Sequence, residues 1–275
     1  MDVLKNSIRD YELKAFLDLK ADEYNTSRFI ADDPIQIPHQ FERQEDIAIS
    51  AFLTANIAWG NRSTIITNAG RFIMCMQGGP YEFLHNAGKM EFQRFSTFRH
   101  RTFNGIDSIY FLKALQRLYR DEGGLRQVFQ RGYTQAGNIQ GAIHHFRETF
   151  FRIHDPGRTA KHLPDVMNNS SAKRINMFLR WMVRKDGRGV DFGIWSGIPM
   201  SALHVPLDVH TGKVARELGL LKRKQNDWKA VEELTNRLRT FDPVDPVRYD
   251  FALFGLGKYE FFRENIPLFL PNGEI

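Results

Sequence analysis

A chain of 275 residues with 42% hydrophobic and 25% charged side chains can bury a sizeable core, as one large domain or as two lobes. No apolar run approaches a membrane span, the charged N-terminal stretch lacks a signal-peptide core, and the single cysteine, Cys75, excludes an intrachain disulfide or a cysteine-ligated cluster. The net charge of +6 is concentrated between Arg152 and Arg188, where nine Lys/Arg stand against Asp155, Asp165 and Asp186, and this concentration favours a polyanionic partner.

In chain order, residues 1–30 read as one amphipathic helix carrying Leu13, Phe16, Leu17 and Leu19. Prolines make 32–38 a loop. Residues 42–59 are apolar on most faces and should form a central helix, broken at Gly60-Asn61 before a second helix over 62–76. Gly78-Gly79-Pro80 marks a turn, and over 92–101 the aromatic residues are expected to pack inward with the arginines outward. Further helices are expected over 107–119 and 139–151, with Gly123-Gly124 between them. Residues 154–169 are loop-rich. A helix then begins near Ser171, with Ile175, Phe178, Leu179 and Met182 as its apolar stripe and Arg180 and Arg184 off it. An irregular connection over 193–204 leads to a helix after Asp208; others follow over 228–238 and 249–256, before a proline-containing tail. Nothing alternates as a strand over a useful length, so the expected fold class is all-α.

Two stretches carry chemistry. In Val205-Pro-Leu-Asp-Val-His-Thr-Gly, Asp208 should be an N-cap whose carboxylate accepts from the first-turn amides, with Gly219 closing the helix. In Asn169-Ser-Ser-Ala-Lys-Arg-Ile-Asn, Ser170 or Ser171 signals a helix start that puts Lys173 in the first turn. The positive helix end, partial burial and adjacent Arg174 disfavour an ammonium there, which suits a nucleophilic amine. His204, Asp208 and His210 are spaced like metal ligands, but a capping Asp208 and the lack of further ligands argue against a metal.

Lys173-Arg-Ile-Asn-Met-Phe-Leu179 resembles the lysine-bearing helix of helix-hairpin-helix DNA glycosylases, the superfamily of endonuclease III. The run from Pro206 to Leu220 is similar to that superfamily's aspartate motif, and 231–234 with 251–255 to the helix pair after it. Ile49-Ser-Ala-Phe-Leu-Thr-Ala-Asn56 resembles its first barrel helix, with Asn56 where many members carry a duplex-probing Gln. The resemblance covers about 42–260. Two departures stand out: the glycine-rich hairpin is replaced by Leu163-Pro164 and Asn168-Asn-Ser-Ser171, and 35 residues separate Lys173 from Asp208. That interval, and the missing four-cysteine loop, look more like the archaeal 8-oxoguanine glycosylase branch; a bacterial family of unassigned function is expected.

The resemblance implies a two-lobed glycosylase-like fold with a degenerate hairpin, lobe A being 42–200 and lobe B 1–41 with 201–275. It also implies a DNA glycosylase with AP lyase activity on double-stranded DNA bearing a damaged base, an oxidised purine in particular. Lys173 would be the nucleophile and Asp208 would stabilise positive charge on the sugar. Asn56, Ser170, Ser171, Arg174, Arg180, Arg184 and His210 would meet DNA, with Lys185 and Arg188 among the phosphate contacts, and Trp59, Phe192 and Trp195 are candidate walls of a base pocket. No cofactor, metal or membrane partner is implied, and the expected location is cytoplasmic, at the nucleoid in a bacterium. The alternatives are a DNA-binding or damage-sensing protein of the same fold without excision, and a helical protein- or RNA-associated module in which both residues are only caps.

Overall fold

The computed structural model describes residues 2–260, with side chains from residue 10 onward; the proline-containing tail lies outside the described residues. Among the described residues the fold is all-α apart from one short antiparallel ribbon, β1 (Arg99–His100) and β2 (Phe103–Asn104). No helix among the described residues is long and apolar enough to cross a membrane.

The central helix is α3 (Gln44–Asn56), buried at every residue from Ile47 to Asn56, as an all-round apolar sequence requires. The long N-terminal helix is divided: α1 (Asp2–Tyr24) stops at Asn25, whose side chain donates to Asp186, and α2 (Ser27–Ala31) follows. α4 (Arg62–Met74) is capped by Asn61, which accepts from the Thr64 amide. Two short helices, α5 (Pro80–Asn86) and α6 (Lys89–Gln93), occupy the stretch that reads only as a turn and an aromatic–basic run. Phe92 and Phe95 do point into the core. α7 (Gly105–Asp121) and α9 (Ile139–Phe150) fall where their apolar spacing puts them. Between them α8 (Leu125–Ala136) has no counterpart in the sequence reading, because its buried stripe of Leu125, Val128, Phe129 and Gly132 is thin among polar residues. It packs as a hairpin on α9.

α10 (Lys173–Val183) crosses α3 and buries Ile175, Phe178, Leu179 and Met182. Its start differs from expectation. The N-cap is Ala172, in the left-handed conformation at φ +48°, rather than either serine; Asn169 is also left-handed, at φ +61°. The connection thus takes the sharp turns that glycines usually supply, at a strain of about 1–2 kcal/mol for an alanine.

α11 (Val209–Glu217) runs to a stop at Gly219, φ +69°. α12 (Trp228–Arg239) and α13 (Tyr249–Gly255) follow, and α1 lies along α13. Beneath α10 and α13 sits a buried ionic network. Arg180 pairs with Asp191 and Asp250, and Arg184 with Asp186, Asp191 and Asp245. Both arginines are at most 3% exposed, so neither lies on a solvated face.

Candidate active site

Lys173, in the first turn of α10, and Asp208, at the head of α11, meet across a cleft of about 780 Å³. The Lys173 Nζ to Asp208 Oδ2 distance is 3.4 Å, with both side chains roughly 30% exposed. Asp208 divides its carboxylate between two tasks. Oδ1 accepts from the His210 and Thr211 amides at 2.9 Å each, as an N-cap does, while Oδ2 faces the lysine. The anion is fixed in direction by the helix it starts.

The cleft has apolar walls from Phe29, Trp59, Met177 and Phe254 and a cationic edge from Arg62, Lys161 and Lys258. Trp59 is held by the edge of His100 at 5.0 Å and by the Arg174 guanidinium at 4.8 Å. Ser170, Ser171, Arg174, Arg180 and His210 also line the cleft. Ser170 pairs by backbone with Asp227, and its hydroxyl accepts from the Ala172 amide.

Several expected contacts with DNA are displaced by packing. The Asn56 amide is buried and donates to Phe52 O at 2.8 Å, so it cannot probe a duplex. Arg174 donates to the carbonyls of Asn56 and His162, tying α10 to the end of α3 rather than reaching for phosphate. Burial pushes its guanidinium down to about 10. Arg184 lies in the ionic network, away from the cleft, and Arg180 forms part of the cleft's inner wall with its charge already paired. Of the other two basic residues in that stretch, Arg188 pairs with Asp22. Trp195 is 4% exposed and packs edge-on against Phe178 at 5.3 Å, a core position. Phe192 packs at a tilt on His39 at 4.3 Å, outside the cleft lining. His204 packs on Trp228 at 5.1 Å, and no group of three His, Cys, Asp or Glu among the described residues is arranged to hold a metal ion.

Besides Asp208, two carboxylates of the cleft are not singled out from sequence. Asp250, on α13, is buried; burial raises its carboxyl to about 6, against the pull of Arg180 and with a further push from Asp208. A lone acid inside the apolar run 249–256 was the available signal. Asp33 caps a turn at Ile35 and is also raised by burial, with Arg62 opposing.

Fold and site together define an all-α protein in which an amine and a carboxylate meet across a cleft edged with positive charge. The chain belongs to the family described as "Protein of unknown function (DUF2400)", whose model matches residues 33–259. That span takes in every residue lining the cleft except Phe29. No curated protein and no solved structure matches the chain.

Proposed function

We propose that the protein is a DNA glycosylase with associated AP lyase activity, acting on duplex DNA that carries a damaged base, with an oxidised purine as the first substrate to try. One observation carries the reading: Lys173 Nζ stands 3.4 Å from Asp208 Oδ2 in a cleft of a size suited to an extruded nucleotide. The cationic edge suits the flanking phosphates. On this reading lobe A (42–200) brings the lysine, lobe B (1–41 with 201–275) brings the aspartate, and the protein works in the cytoplasm, at the nucleoid in a bacterium.

The chemistry follows from the residue types. The free amine of Lys173 attacks C1′ and gives up a proton; the C1′–N bond breaks, and its electron pair leaves with the base, which takes up a proton. Asp208 stabilises the positive charge that builds on the sugar. Opening of the sugar ring leaves an imine between Lys173 and C1′. Loss of a C2′ proton then expels the 3′ phosphate by β-elimination, and water releases the lysine.

Borohydride reduces such an imine to a stable amine. Incubation with a duplex bearing one 8-oxoguanine should trap a covalent complex, and Lys173→Gln should abolish it. Trapping unchanged in that variant would reassign the nucleophile. A second reading, a damage-sensing DNA-binding protein without excision, is favoured by the glycine-free turn before Lys173. It predicts salt-dependent duplex binding with no trapped species.

A further inference from the structure

We infer that Asn226 is a positioning residue, holding Asp208 in register with Lys173; the inference rests on the glycosylase reading above. Asp208 is fixed by more than its own cap. Its carbonyl, besides accepting the first bond of α11 from Gly212 N, accepts from Asn226 Nδ2 at 3.0 Å. Asn226 Oδ1 in turn accepts from Arg216 at 2.6 Å, and Arg216 Nε donates to Arg223 O at 2.8 Å. The amide therefore uses its donor toward Asp208 and its acceptor toward Arg216, so neither an acid nor an apolar residue satisfies both neighbours.

The packing is built around this contact. A Cβ on Gly212 would fall 2.8 Å from both Arg216 Nη1 and Asn226 Oδ1, so a side chain there would push the clasp off α11. The same turn is joined to the other half of the pair. Asp227 bridges to Ser170, and the Trp228 amide donates to Asn169 O at 3.2 Å, three and four residues before Lys173. Residues 226–228 thus connect the head of α11 to the approach to α10. Sequence separates Lys173 from Asp208 by 35 residues, and this short segment spans the gap.

Asn226→Asp tests the inference with little change of shape: the Arg216 contact survives, while the donor facing the Asp208 carbonyl is replaced by an acceptor. Single-turnover excision from the 8-oxoguanine duplex should slow by roughly tenfold to a hundredfold, as expected for a displaced catalytic group. Duplex affinity should stay close to wild type, while the thermal midpoint should fall by a few degrees, the cost of one unmet hydrogen bond. Because the effect passes through Asp208, the Asn226→Asp/Asp208→Asn double variant should be no slower than Asp208→Asn alone. Gly212→Ala provides a second route to the same loss if Asn226→Asp does not fold. Crystal structures of wild type and variant supply a readout free of activity: the Lys173–Asp208 separation should lengthen. An unmoved Asp208, or penalties that multiply in the double variant, overturns the positioning role. A wild-type protein that neither excises nor traps overturns the glycosylase reading instead, and leaves the clasp to be judged on that separation.

Discussion

Arg184 Nε donates to Asp245 Oδ2 at 2.9 Å inside the protein, and the same guanidinium reaches Asp186 and Asp191. Removing it takes the arginine partner from Asp245 and leaves Asp191 with Arg180 alone and Asp186 with Asn25, all at low exposure. Arg184→Met should therefore cost about 3–5 kcal/mol, the usual penalty for breaking a buried pair from one side. Urea unfolding measures the loss. The salt dependence of duplex binding should be unchanged, since this charge meets no phosphate.

The cationic edge of the cleft should behave in the opposite way. Lys161→Gln and Lys258→Gln remove exposed charges that belong to no buried network. Each should lower the slope of log affinity against log salt by about one unit while shifting stability by less than about 0.5 kcal/mol. Titration at a series of salt concentrations, read by fluorescence anisotropy, decides it.

Asp208→Asn separates chemistry from folding. Asparagine caps a helix about as well as aspartate, so stability should change by less than about 1 kcal/mol. The charge facing Lys173 is lost, and excision should fall by roughly a hundredfold or more, far beyond any change in duplex affinity. A variant that excises at the wild-type rate would remove Asp208 from the mechanism.

Two buried groups give pH dependences of opposite sign. Burial, helped by Arg239, lowers His204 from an ordinary 6.5 to about 4. The unfolded chain takes up this proton before the folded one, so this contribution to stability is full above pH 6.5 and is lost as pH falls toward 4. Asp250 is raised from 3.8 to about 6, so the folded form holds its proton longer, and that contribution is present below pH 3.8 and lost as pH rises through 6. Relative to wild type, His204→Gln should gain stability on acidification and Asp250→Asn should gain it as pH rises from 4 to 7. Urea midpoints across that range test both.

The strongly periodic elements were legible in the sequence: α3 from its unbroken apolar run, α10 from the spacing of Ile175, Phe178, Leu179 and Met182, and the Asp208 cap from Pro206 and the residues after it. What escaped did so for physical reasons. α8 exposes most of its surface, so its polar composition hides it. Arg180 and Arg184 lie off the apolar stripe of α10, yet carboxylates help bring them inside, and the pairs with Asp245 and Asp250 leave no local trace. Asn56 and Trp195 carry side chains suited to nucleic acid, but the core claimed them first. Lys173 and Asp208 were each visible as residues; their approach to 3.4 Å is a property of the folded chain.

The ionic network also bears on the order in which the chain can become compact. Arg180 and Arg184 precede their partners Asp250 and Asp245 by 70 and 61 residues. Until those acids are made, Asp186 and Asp191 are the ion-pair partners that lie nearby in the chain, two of the four carboxylates with which the guanidiniums finally pair. α10 therefore gains its full set of counter-charges only once Asp245 and Asp250 have been made, and the cleft that Asp250 and Phe254 help to line is finished only when α13 has docked.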